Sequence, residues 1–232
     1  MSEASGRATA WAIHLFTASS ALLAFLALGA VEGSRWREAL LWLLAALVVD
    51  GVDGTLARRA EVTKSLPRID GSALDLVVDY LTYVFVPACF LWRLGAFPSA
   101  LALPLVALIL LSSLYTFARR DMKTDDGYFR GFPALWNIVA LYVYVASPAP
   151  WLAAASTILL AVLTFAPIHT VHPMRVRDYG AWLPAITMVW GVSTLALLLP
   201  PTRFVGTIAL PVSLASAVLL VALGSFRSFR PQ

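Results

Sequence analysis

Four aspartates, Asp50, Asp53, Asp75 and Asp79, stand in stretches that otherwise read as apolar helix. A carboxylate at the centre of a bilayer costs on the order of 3 kcal/mol even on lenient insertion scales, so ionisable groups in such helices usually face a shared polar cavity and act there. Asp50 and Asp53 are three residues apart, and Asp75 and Asp79 are four apart. On a helix both spacings set side chains on one face, with Cβ atoms about 5–6 Å apart. The 12-residue connection between Arg58 and Gly71 lets the two helices pack antiparallel, so that both pairs converge on one point. Four clustered carboxylates do not all stay ionised without cations, and two divalent ions cancel their charge. Oxygen-only ligands select hard ions such as magnesium or manganese, and two-metal carboxylate sites suit in-line displacement at phosphorus.

The elements that must position these groups are membrane helices. Across 232 residues, 60% are hydrophobic and 13% charged, which is more apolar surface than a soluble single-domain core buries. Runs over about 9–31, 36–57, 72–94, 98–118, 132–147, 150–167, 181–200 and 205–225 are predicted as helices able to span roughly 30 Å of hydrocarbon. The expected fold is all-α, a polytopic bundle of about eight transmembrane helices forming one catalytic domain over 1–232. Its core helices, about 9–167, carry the site, and about 181–225 adds two C-terminal helices.

With the N-terminus inside, the alternate connections place thirteen basic residues on the cytoplasmic side, among them Arg7, Arg58, Arg59, Lys64, Arg68, Arg119, Arg120, Lys123, Arg130 and Arg230. Only Arg35, Arg37, Arg93 and Arg203 fall outside. This bias predicts both termini in the cytoplasm. The net charge of +4 then reads as a topology signal with some attraction to anionic lipid heads, and requires no nucleic acid. Cys89 is the sole cysteine, so an intrachain disulfide is excluded. His169 and His172, three apart before Pro173, lack the further ligands that zinc requires.

Small residues accompany the aspartates. Gly54 and Ala57 share the Asp50/Asp53 helix surface, and Gly71 lies one turn before Asp75. Their missing bulk makes room for a flat base or a diphosphate between helices; the alternative is that they simply let helices approach closely.

The pattern Asp50-x2-Asp53-Gly54-x2-Ala57-Arg58-x12-Gly71-x3-Asp75-x3-Asp79 resembles the signature of the CDP-alcohol phosphotransferase family at all eight fixed positions. The spacer before Gly71 is longer than is common there. Together with Leu66-Pro67, the Asp79-to-Pro87 segment and Met122 to Asn137, that spacer is similar to the branch of the family that forms phosphatidylcholine in bacteria. The likeness runs from about residue 8 to beyond Arg175 and thins over the last two helices. It implies transfer of a phosphatidyl group from CDP-diacylglycerol to choline with release of CMP, using two manganese or magnesium ions, in the bacterial inner membrane with the site at the cytoplasmic face. It further implies Asp50, Asp53, Asp75 and Asp79 as metal residues, with Asp79 also the general base. Asp50, Gly54, Ala57, Gly71 and Asp75 would line the nucleotide pocket, and Arg58 is placed near the diphosphate on charge grounds. His14 and Thr17 occupy positions where many relatives carry an Asn and a Thr that touch the nucleotide. Relatives form homodimers, and the same is expected here by analogy.

Choline has no proton on its quaternary nitrogen, so recognition falls to aromatic faces, each worth about 0.5–2 kcal/mol. Tyr83, one turn past Asp79, and Tyr115, one turn before Arg119, are the expected cage, although an interfacial aromatic belt or helix packing accounts for such residues equally well. Arg119 and Lys123 are candidates for the lipid phosphate, against the alternative of a solvated basic loop. Asp125 and Asp126 either repel anionic acceptors, assist a cation or belong to an ordinary hydrophilic loop. Within the same chemistry, serine is the competing acceptor. A cation-coupled transporter is the rival from another class, but it requires carboxylates along a transmembrane path, whereas these cluster at one face.

Overall fold

The computed structural model describes residues 3–199 and 203–228; Pro200, Pro201 and Arg230 lie outside the described residues. Among the described residues the fold is all-α apart from two very short strands, and the chain divides into two compact units. One comprises Met1–Gly95 with Trp136–Tyr144, the other Ala96–Leu135 with Val145–Gln232.

In the first unit, α1 (Glu3–Glu32) and α2 (Trp36–Arg59) pack along each other across a three-residue turn. Ser34 takes a left-handed conformation at φ 55° in that turn. The connection after α2 contains a short helix absent from the sequence expectation, α3 (Val62–Ser65). Val62 and Leu66 bury against Ala10, with Ile13, Ala57, Ala60 and Ile69 around them. This apolar knot pins the polar connection to α1. The third long helix starts where Asp70 accepts hydrogen bonds from the backbone N–H groups of Ser72 and Ala73, both at 3.0 Å, a cap worth about 1 kcal/mol. It runs as α4 (Gly71–Asp79), a π-helical segment (Tyr80–Phe85) and α5 (Val86–Leu94). Gly95 closes it at φ 69°. Phe90 meets Trp36 edge-on at 5.3 Å and Tyr144 at 6.1 Å, tying α5 to α2 and to α7 (Trp136–Ala146).

In the second unit, α6 (Ser99–Ala118) packs on α8 (Pro150–Leu163), and α9 (Trp182–Leu198) on α10 (Arg203–Ser228). A buried hydrogen bond of 2.9 Å joins the hydroxyls of Thr194 and Ser213 across the α9/α10 pair, the type of polar contact that holds helices together where lipid removes the hydrophobic drive. The loops carry an antiparallel pair, β1 (Phe129–Arg130) and β2 (His169–Thr170). The end of α10 is clasped to these loops. Arg227 donates to Asp126 at 2.8 Å, the backbone N–H of His169 to Ser228 at 2.8 Å, and the Tyr179 phenol to the Leu223 carbonyl at 2.9 Å. Beneath them Tyr128, Val171, Val176 and Leu183 form a buried core, with the Tyr128 phenol donating to Asp178 at 2.9 Å.

All eight apolar runs carry helix, but not all at the expected length. Among the described residues, five helices are long and apolar enough to cross a membrane: Ser5–Glu32, Trp36–Arg59, Gly71–Leu94, Ser99–Ala118 and Thr207–Ser228. α7, α8 and α9 have 11, 14 and 17 residues, rises of about 16–26 Å at 1.5 Å per residue. The run expected from 132 starts helix only at Trp136. Pro133 disfavours helical backbone at Phe132, Ala134 sits at φ 57°, and the preceding N–H groups are already committed: Gly131 donates to Ile168 and Phe132 to Leu163.

Gly131 makes that arrangement possible. It sits at φ 78°, and a Cβ there would collide with the backbone of Leu163 and Thr164. Gly131→Ala is therefore expected to destabilise the protein by about 2 kcal/mol or more, as strain and overpacking together. Gly95→Ala, at φ 69° with open space around its Cβ position, should cost only about 1 kcal/mol. Unfolding midpoints of the two variants in mixed micelles check the difference.

Candidate metal centre

The first unit brings Asp50 of α2 together with Asp75 and Asp79 of α4. One carboxylate oxygen from each lies within 4.8 Å of the others, and all three side chains are half-buried. That is an oxygen-only donor set of three negative charges, and the chemistry of such a set is that of a hard divalent ion. The i,i+4 spacing of Asp75 and Asp79 supplies one wall, and packing around α1 supplies the other by holding α2 beside α4.

Asp53 is not part of that trio. It is only 4% exposed and lies beside Thr17 of α1, whose hydroxyl donates to the Ile13 carbonyl at 3.3 Å. Gly71 abuts His14 of α1, where a Cβ would lie 2.9 Å from the His14 Cε1. His14 is 7% exposed, and its Nε2 is a buried side-chain nitrogen with no hydrogen-bond partner among the described residues. Gly54 leaves room for Arg58, whose Nη1 would stand 3.3 Å from a Cβ there; the exposed guanidinium donates to Thr55 at 3.2 Å. Ala57 packs in the apolar knot around Val62 and Leu66.

Tyr83 sits differently from a ring open to a ligand. It is 6% exposed, and its phenol donates to Asp50 Oδ2 at 2.7 Å across 33 residues of sequence. Sequence reasoning missed this role: the four-residue spacing sets Tyr83 on the Asp79 face but carries no signal of the contact to Asp50.

The other expected site residues belong to the second unit. Tyr115 is half-exposed, its ring 4.8 Å from Phe165 with the Arg119 guanidinium 5.9 Å from its centre. Arg119 also makes a two-pronged pair with Asp121, both contacts at 2.9 Å. Lys123 lies 5.2 Å from the Phe129 ring, which stacks on His172. Near them, His169 is held below the ordinary imidazole range, first by partial burial and then by Arg227 and Arg130.

Helices carrying a convergent acidic trio define a membrane enzyme built for hard-ion chemistry. The family profile described as CDP-alcohol phosphatidyltransferase matches residues 9–190, and the chain belongs to that family. A phosphatidylcholine synthase of Pseudomonas aeruginosa is 49% identical over 188 residues, covering 81% of this chain and 79% of that protein. One from Mesorhizobium japonicum is 40% identical, covering 79% and 69%, and one from Agrobacterium fabrum is 34% identical over 226 residues, covering 96% and 92%.

Thr17→Val should remove the hydroxyl beside the buried Asp53 carboxylate and lower stability by about 1–3 kcal/mol. Thr17→Ser, which retains the hydroxyl, should recover most of that loss in the same unfolding measurement.

Proposed function

We propose that this protein transfers a phosphatidyl group from CDP-diacylglycerol to the hydroxyl of choline, giving phosphatidylcholine and CMP. The reading rests on the convergence of Asp50, Asp75 and Asp79 in a chain of the CDP-alcohol phosphatidyltransferase family whose relatives are named phosphatidylcholine synthases. Manganese or magnesium ions, two per site, would be held by these three carboxylates with Asp53 beside them, and would supply neutralisation of the diphosphate and of the departing CMP. Asp79 takes the proton from the choline hydroxyl as its oxygen bonds to the phosphorus next to diacylglycerol. The bond from that phosphorus to the CMP oxygen breaks. Positioning and charge stabilisation carry such a reaction.

Arg58 faces the diphosphate in this scheme, and Gly54, Ala57 and Gly71 keep the nucleotide pocket clear of side chains. His14 Nε2, buried beside Gly71 without a partner among the described residues, suits a polar group of the nucleotide. Tyr115 offers an exposed ring to the choline ammonium, and Arg119 and Lys123 neutralise lipid phosphate. The protein is placed in a bacterial inner membrane, as a homodimer, with both termini and the site on the cytoplasmic side. That topology rests on the distribution of Arg and Lys.

Purified protein in micelles, supplied with CDP-diacylglycerol, Mn2+ and one acceptor at a time, should release CMP and form phosphatidylcholine with choline. CMP release with serine alone would reassign the acceptor. Asp79→Asn should bind the nucleotide within a few-fold of the unaltered protein yet turn over at least about 100-fold more slowly, the usual scale for loss of a general base.

A further inference from the structure

We infer that Tyr83 is a positioning residue for the metal centre: its phenol fixes the Asp50 carboxylate in the orientation that lets it join Asp75 and Asp79 on a divalent ion. The inference rests on the proposed metal-dependent reading of the trio and deepens it. Asp50 comes from α2, whereas Asp75 and Asp79 are already aligned by their own helix, so Asp50 is the member whose direction needs an external constraint. The phenol supplies one at 2.7 Å on Oδ2. Asp75 and Asp79 are also charged neighbours of the same phenol.

The backbone is arranged around this contact. Tyr83 lies inside the π-helical segment Tyr80–Phe85, which begins at the residue after Asp79; single π turns of this kind recur at functional sites. Thr82 is turned to its own helix, its hydroxyl 3.1 Å from the Val78 carbonyl. The Tyr83 ring is nine-tenths buried, as expected of a group that orients a ligand and unlike one that admits a trimethylammonium ion. Outer hydrogen bonds to a ligating carboxylate or imidazole typically change metal affinity about 10- to 100-fold.

The test measures Mn2+ binding directly, by loss of the free-ion electron paramagnetic resonance signal on titration into the purified full-length protein, beside CMP release. Tyr83→Phe removes one oxygen and keeps the buried ring. It should weaken Mn2+ binding about 10- to 100-fold and raise the Mn2+ needed for half-maximal CMP release in parallel. At saturating Mn2+, turnover should return to within a few-fold and the choline KM should be unchanged. Tyr83→Leu should weaken Mn2+ binding at least as much.

Unaltered Mn2+ affinity in Tyr83→Phe overturns the inference, including the case in which only the metal-free unfolding midpoint falls. So does a choline KM that rises in Tyr83→Leu but not in Tyr83→Phe while Mn2+ binding is unchanged, which is the signature of an aromatic cage. Absence of Mn2+ binding to the unaltered protein overturns it as well. Mn2+ binding that depends on the phenol, in a protein releasing no CMP with any acceptor, would uphold the inference and refute the proposed reaction.

Discussion

Three carboxylates within 4.8 Å of one another in a half-buried setting repel, and the repulsion is strongest where water is scarce. Such a cluster persists in a fold only if packing over-determines it or a cation relieves it. Packing holds α2 and α4 close through α1, which contacts both, so the strain is imposed by apolar burial away from the acids. The cation is the natural complement, and it explains why hard-ion chemistry is the economical reading of this face.

The features around the trio make sense as ways of fixing that geometry. Asp70 caps α4 and so fixes where the helix that bears Asp75 and Asp79 begins. α3 and its apolar knot hold the long connection against α1, which prevents the two acid-bearing helices from drifting apart. Gly71 lets His14 approach, drawing α1 onto the start of α4. Each is a modest local contribution, but all act on the relative placement of two helices, where an error of about 1 Å matters most.

Much of this was legible from the chain. The helices follow from apolar runs bounded by Gly and Pro, and the convergence of Asp50 with Asp75 and Asp79 follows from i,i+4 spacing and a connection long enough to reverse the chain. What was not legible depended on long-range hydrogen bonding. Asp53 shares a helix face with Asp50, yet it lies buried beside Thr17, 36 residues earlier in the sequence, and outside the trio. Tyr83 reads from sequence as an aromatic face, and only the position of Asp50 turns it into a donor. The shortened α7 also has a non-local cause. Gly131 and Phe132 spend their N–H groups on Ile168 and Leu163, partners that periodicity in residues 132–147 does not reveal.

The charge of the proposed centre bears on the choice of acceptor. Three ionised carboxylates and a doubly charged diphosphate outweigh two divalent ions by one negative charge. An acceptor carrying only a positive charge is drawn to such an assembly, whereas serine brings a further carboxylate that must be placed near it at a Coulomb cost. Selection for choline then starts from the net charge of the site itself. Aromatic contacts need only refine it, which fits a chain in which Tyr83, the aromatic residue nearest the acids in sequence apart from Tyr80, is committed to Asp50.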